Sequence, residues 1–76
     1  MPNISETLQK ATKILQQSEI AEPRREANSL LAFALNKDKI FLIAHPEYQL
    51  TDLEEKSFNE ILTRRANREP FQHIVG

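Results

Sequence analysis

Cysteine and tryptophan are absent from these 76 residues, and glycine occurs once, as the last residue. Without cysteine the chain has no disulfide, no zinc-thiolate site and no thiol nucleophile, which fits a reducing, cytoplasmic compartment. A single glycine argues against a turn-rich β architecture and against a glycine-rich loop for phosphate or a nucleotide cofactor. Long apolar runs are also missing. The runs at residues 30–35 and 40–44 fall far short of the roughly 20 residues that span a bilayer. Residues 1–9 are polar and carry Glu6, which is unlike a secretory signal. A formal net charge of -1 gives no global attraction to nucleic acid or to an anionic membrane.

What is present reads as one small globular domain filling residues 1–76. Hydrophobic residues make up 39% and charged residues 28%, enough apolar content for a core and enough charge for a solvated surface. The expected fold class is all-α, a small bundle of about five helices. Ile4, Leu8, Ala11 and Leu15 form one stripe of a first amphipathic helix, with Asn3 and Glu6 as a capping pair. Pro23 suits the first turn of a second helix, because its missing N–H has no partner there anyway. Ala27, Leu30, Leu31, Ala34 and Leu35 make its buried stripe, and Asn36 is a left-handed stop.

Asp38 can cap a short third helix from Lys39 to Ala44. Ile40, Phe41, Leu42 and Ile43 make that helix apolar all round, so it is expected to wedge between other helices. Pro46 ends it. Thr51 and Glu54 form a capping box that opens a long fourth helix, with Leu53, Phe58, Ile61 and Leu62 as its expected buried face. Asp52, Glu54 and Glu55 at its start, and Arg64, Arg65 and Arg68 at its end, complement the helix dipole. Pro70 starts a last short turn, Phe71 to Val75. Three large apolar residues so near a terminus (Phe71, Ile74 and Val75) leave two readings. Either they dock on the bundle, or a second domain begins there; the second is preferred.

Catalytic machinery is expected to be absent. Methyl, hydride and phosphoryl chemistry need a cofactor or phosphate cradle, usually on a glycine-rich strand-to-helix turn, and this chain offers neither. His45 and His73 lie in separate segments with no clustered ligands for a metal. No spacing pairs a nucleophile with a base.

The arginines are the candidate binding group. At about 100° per residue, Arg64 and Arg68 should stack one turn apart, while Arg65 falls between Ile61 and Phe58 inside the apolar stripe. Two accounts stay open. One is dipole compensation plus ion pairs to Glu22, Glu26 or Glu69, with Arg65 laying its stem across the core edge. The other is that Arg64, Arg65 and Arg68 face a partner. Arg24 and Arg25, on the first turn of the second helix, call for a carboxylate, Glu22 or one on the fourth helix, with a binding role as the alternative. Tyr48 is expected to cover the core with its ring. Phe33 lies off the main stripe, either completing the core against the third helix or joining a small interface patch.

Three stretches resemble one family. Pro23-Arg24-Arg25-Glu26-Ala27-Asn28-Ser29-Leu30-Leu31 is similar to the arginine-started second helix of the HemK/PrmC family. Ala44-His45-Pro46-Glu47-Tyr48-Gln49-Leu50-Thr51 resembles the turn after its third helix. Arg64-Arg65-Ala66-Asn67-Arg68-Glu69-Pro70-Phe71-Gln72-His73-Ile74-Val75-Gly76 resembles the stretch that closes its helical domain. The resemblance covers essentially the whole chain.

That family methylates, with S-adenosylmethionine, the side-chain amide nitrogen of the glutamine in the Gly-Gly-Gln motif of class 1 peptide chain release factors. The resemblance implies an N-terminal helical domain joined to a Rossmann-like catalytic domain, with residues 73–76 leading into the interdomain linker. The glycine-rich cofactor loop and the Asn-Pro-Pro-Tyr motif of that second domain do not occur here. So the resemblance implies no catalytic, cofactor-binding or metal residue in this chain, and no activity for it alone. Its implied task is recognition: a three-residue loop is too small to select a protein, so further surface should help dock the release factor. Arg64, Arg65 and Arg68 are the candidates, and the own C-terminal catalytic domain is the second expected partner. The rival readings are a free-standing helical nucleic-acid or ribosome-binding module, which near-neutral charge disfavours, and a protein adaptor without catalytic parentage.

Overall fold

In the computed structural model, which describes residues 1–76, three of the five helices start at a side chain that accepts a free amide: Asn3, Asp38 and Thr51. The order is α1 (Ile4–Gln17), α2 (Pro23–Leu35), α3 (Lys39–Ala44), α4 (Asp52–Ala66) and α5 (Phe71–Val75). The chain is thus all-α, with five helices and no strand. No helix is long and apolar enough to cross a membrane.

The first four amides of α1 all find acceptors, which removes the usual cost of a helix start. Ile4 N–H donates to the Tyr48 carbonyl and Ser5 N–H to the Pro46 carbonyl, both at 2.9 Å. Glu6 N–H donates to Asn3 Oδ1 at 2.8 Å, with Glu6 Oε1 accepting from Asn3 N–H in return. Thr7 N–H donates to the Asn3 carbonyl. The turn from His45 to Leu50 therefore acts as a backbone cap for the first helix. Its Tyr48 hydroxyl donates to both Glu54 carboxylate oxygens at 3.0 and 3.1 Å, and Glu54 also closes the Thr51 capping box of α4. That acceptor pushes the Tyr48 phenol above its ordinary range, since a phenolate beside a carboxylate is disfavoured.

With one glycine in the chain, three helices end left-handed without it. Glu19, Asn36 and Arg68 have φ of 62°, 56° and 69°. After α1, Glu19 N–H donates to the Gln16 carbonyl and Ile20 N–H to that of Leu15, the paired bonds of a Schellman stop. Ile20 and Leu15 are both buried, supplying the apolar contact that accompanies it. Asn36 and Lys37 repeat the pattern on Phe33 and Ala32, and Arg68 and Glu69 repeat it on Arg65 and Arg64.

α2 is the central helix, packing on both α1 and α4, while α3 leans on α2 and α5 on α4. Ile4, Ala11, Leu15, Ala27, Leu30, Leu31, Leu50 and Phe58 are the most deeply buried apolar residues. The radius of gyration is 11.2 Å, against about 11.4 Å for a compact chain of this length, so the core closes on itself. Ile74 is buried, and Phe71 and Val75 pack against the same cluster. These three residues therefore dock on the bundle and are used within the domain.

Two further expectations are corrected, and one of the two alternatives for Phe33 is removed. α3 does not wedge: Leu42 is buried, but Ile40 and Ile43 are 72% and 78% exposed. A helix of six residues rests on α2 along one face, and the residues about 200° and 100° round from Leu42 turn away. Leu53 is 77% exposed, because it lies about 140° from Phe58 and 180° from Leu62 around α4. Phe33, half exposed, does not complete the core.

Glu19 holds its left-handed conformation without a side-chain partner, at the ordinary cost of a Cβ there. Glu19→Gly should stabilise the chain by about 1 kcal/mol, raising Tm by about 4–8 °C in a circular-dichroism melt. An unchanged or lowered Tm would contradict this account of the stop.

Candidate partner-binding surface at the arginine-rich end

Arg64 and Arg65 occupy the last turn of α4, and Arg68 follows the Asn67 cap in the left-handed position that turns the chain toward Pro70 and α5. The helix has ended before Arg68, so Arg64 and Arg68 do not stack on one helical face as expected. Their roles separate instead.

Arg65 ties two helices together. Its Nε and Nη2 donate to the Glu26 carboxylate at 2.5 and 3.1 Å across 39 residues of sequence, and its Nη1 donates to the Glu69 carbonyl at 3.1 Å. Both side chains are about one-fifth exposed. Arg65 lies within the Phe58–Ile61 stripe, so its stem crosses the core edge and its head must be satisfied there. The Glu26 acceptor raises the guanidinium pKa further above its already high value.

Arg64 closes the turn that follows α4. Its Nε donates to both Glu69 oxygens at 3.0 and 3.1 Å, Nη2 bonds the same carboxylate, and Nη2 reaches the His73 carbonyl at 3.4 Å. This contact holds the Glu69 carboxyl below its usual range and raises Arg64. Arg68 serves α1: its Nη2 donates to the carbonyls of Ser18 and Glu19 at 3.2 and 3.4 Å. α1 has no basic residue in its own last turn, so Arg68 places a cation on that negative helix end from across the fold.

A guanidinium carries five N–H donors. Arg65 has all three nitrogens engaged inside the chain. Nη1 of Arg64 is unengaged, as are Nε and Nη1 of Arg68. The intramolecular account therefore holds for Arg65 with Glu26, the strut between α4 and α2, and for Arg64 with Glu69, while Arg68 bonds backbone carbonyls instead of a carboxylate.

Other charged residues sort as simply. Arg25 pairs with Glu22 at 3.3 Å on the exposed first turn of α2. Arg24 makes no ion pair. His45 and His73 are exposed and lie on separate elements. No group of three or more His, Cys, Asp or Glu side chains could hold a metal. One surface went unforeseen in the sequence: a hollow between α2 and α3 bordered by Arg24, Asn28, Lys39 and Ile43. The available signal was the shortness of α3, which cannot bury four consecutive apolar residues.

Glu26→Ala should cost about 2 kcal/mol, the scale of a charged hydrogen-bonded contact left half-made at a core edge, whereas Glu22→Ala should stay within about 0.5 kcal/mol. Urea unfolding of both variants checks the contrast, and equal effects would contradict the strut. Glu69 offers a pH test. Its folded-state pKa is depressed, so its contribution is complete above the ordinary carboxylate range and is lost as pH falls through the depressed value. Carboxyl NMR should show Glu69 titrating below the other exposed glutamates, and Arg64→Ala should return it to them.

Comparison with known proteins bears on the whole of this architecture. The family model of the PrmC N-terminal domain matches residues 6–76. A release factor glutamine methyltransferase of Koribacter versatilis is 36% identical over 73 residues, covering 96% of this chain and 26% of that protein. One from Escherichia coli is 39% identical over 69 residues, 91% of this chain and 24% of its own length. A bifunctional methyltransferase of Rickettsia bellii is 38% identical over 74 residues, 97% of this chain and 13% of its own length. No solved structure matches. The chain spans about a quarter or less of these curated relatives. With nearly its full length matched by the family model and its five helices closed on one core, this chain belongs to the PrmC N-terminal domain family.

Proposed function

We propose that this chain is the substrate-docking domain of a cytoplasmic, S-adenosylmethionine-dependent methyltransferase that modifies the glutamine side-chain amide of the Gly-Gly-Gln motif in class 1 release factors. The observation that carries this reading is the family match across residues 6–76, together with relatives named release factor glutamine methyltransferase. The residues present do not fit the methyl donor. A nucleotide-like cofactor is held on a strand-to-helix turn whose glycines admit it to the backbone, and these five helices have no strand and only the terminal Gly76. No step of methyl transfer is therefore assigned to any side chain here.

The task that falls to this domain is positioning. An amide nitrogen is a poor nucleophile because its lone pair is delocalised, so orientation of the target glutamine must supply much of the acceleration. A short loop presents too little area to fix a protein in place, and stable recognition uses roughly 800 Å² per partner. Arg64 and Arg68 are our docking residues, each fixed by contacts inside the fold and each with free donors directed to carboxylates or carbonyls of the release factor. Pre-fixed guanidinium groups lose less side-chain freedom on binding than freely moving ones. Arg65 supports them from within. Beyond Val75, Gly76 begins the approach to the linker and the catalytic domain.

Amide NMR of the labelled chain titrated with a class 1 release factor tests this. Shifts should centre on the end of α4 and on residues 67–69, and Arg64→Glu with Arg68→Glu should weaken binding by roughly tenfold, as for a charged rim contact turned repulsive. The chain alone should transfer no methyl group from S-adenosylmethionine to the release factor. Methylated product from the chain alone, or shifts confined to other faces, would overturn the proposal.

A further inference from the structure

The α2–α3 face combines two features that the fold itself does not use. The first is apolar. Ile40 and Ile43 lie three residues apart on one side of α3, about 60° from each other around the axis, and both are more than two-thirds exposed. A domain that buries fifteen apolar residues in one cluster leaves this pair in water. The second is charge. Ile43 borders a hollow with Glu22, Pro23, Arg24, Arg25, Asn28 and Lys39, three cations against one acid, in which Asn28 Nδ2 donates to the Arg24 carbonyl at 2.9 Å.

Arg24 and Lys39 have no carboxylate partner within the chain, although the nearby acids are already committed. Glu22 pairs with Arg25, and Asp38 Oδ1 accepts the Phe41 N–H at 2.9 Å as the cap of α3. The face is thus locally positive on a molecule of net charge -1. Arg24 also stands on the first turn of α2, where a cation is disfavoured by the helix dipole and the cost is offset only by added negative charge.

We propose that this face docks an acidic segment of a partner protein: an aliphatic side chain of the segment rests on Ile40 and Ile43, and its flanking carboxylates meet Arg24 and Lys39. Charge complementarity selects the acid, and the aliphatic pair selects a protein over a nucleic acid. Single strands are gripped by aromatic side chains on which bases stack, and the exposed hydrophobic residues here are isoleucines. Around α2, Arg24 lies about 200° from Glu26, which faces α4. The surface is therefore distinct from the Arg64 and Arg68 contact, and it stands or falls independently of the release factor reading.

The test is amide NMR of the labelled 76-residue chain with three probes: a short peptide of leucines flanked by glutamates, the same peptide with glutamine for glutamate, and a short uridine-rich RNA. The glutamate peptide should shift Arg24, Lys39, Ile40 and Ile43 and leave residues 64–68 unmoved. Arg24→Glu with Lys39→Glu should weaken it by roughly tenfold or more, and Ile43→Ser by roughly fivefold, with neither variant melting lower, because all three positions are exposed and the glutamates suit the helix dipoles. Four results would overturn the proposal: no shifts with the glutamate peptide, equal affinity for the charge-reversed chain, the same shifts produced by the RNA, or the same shifts on concentrating the chain alone, which would make the occupant a second copy.

Discussion

An arginine placed in the apolar stripe of a helix must be given a partner, and here that partner fixes how the two ends of the fold meet. Arg65 sits between Phe58 and Ile61 on the buried face of α4, so its guanidinium emerges at the core edge beside the first turn of α2. Glu26 meets it there. Because α2 is the central helix, the contact registers α4 against the element on which α1 and α3 also pack. Arg64 closes the turn after α4 on Glu69, and Arg68 reaches across to the end of α1. One end of the bundle is therefore held by charge, while the other is held by backbone, through the Pro46 and Tyr48 carbonyls that cap α1.

Much of this architecture was legible in the residues, because the signals were local. Asn3 with Glu6, Asp38, and Thr51 with Glu54 each cap the helix they precede. Asn36 stops α2 left-handed, and Pro23 starts it. The stripes of α1 and α2 are buried largely as the period predicts. What could not be read depended on tertiary geometry. The exposure of Ile40, Ile43 and Leu53 follows from which side of a short or newly started helix meets a neighbour, and composition is blind to that. Leu50 and Ile20 are buried in turns, where no period marks them. Glu19 and Arg68 take left-handed conformations that nothing in their chemistry announces. Arg68 leaves the helix for that reason, which removed the expected stack with Arg64.

The candidate site was legible as a group and illegible as a division of labour. Glu26 and Glu69 were recognisable as possible counter-charges, but which arginine each would take depends on an α4 that ends at Ala66 and a chain that turns back at Arg68. Each of the three Arg65 nitrogens is bonded inside the chain, whereas Arg64 and Arg68 keep nitrogens with no partner there. The arrangement belongs to a PrmC N-terminal domain, whose relatives are named methyltransferases.

The dependence on Arg65 and Glu26 is measured most directly by a double-mutant cycle, with Arg65→Gln, Glu26→Gln and their combination unfolded in urea under one set of conditions. If the pair sets the register of α4 on α2, the coupling should be about 1 kcal/mol or more, with the double variant far more stable than the sum of the single losses predicts. Strict additivity would mean that the two side chains contribute independently, and that the helices find their register from apolar packing alone.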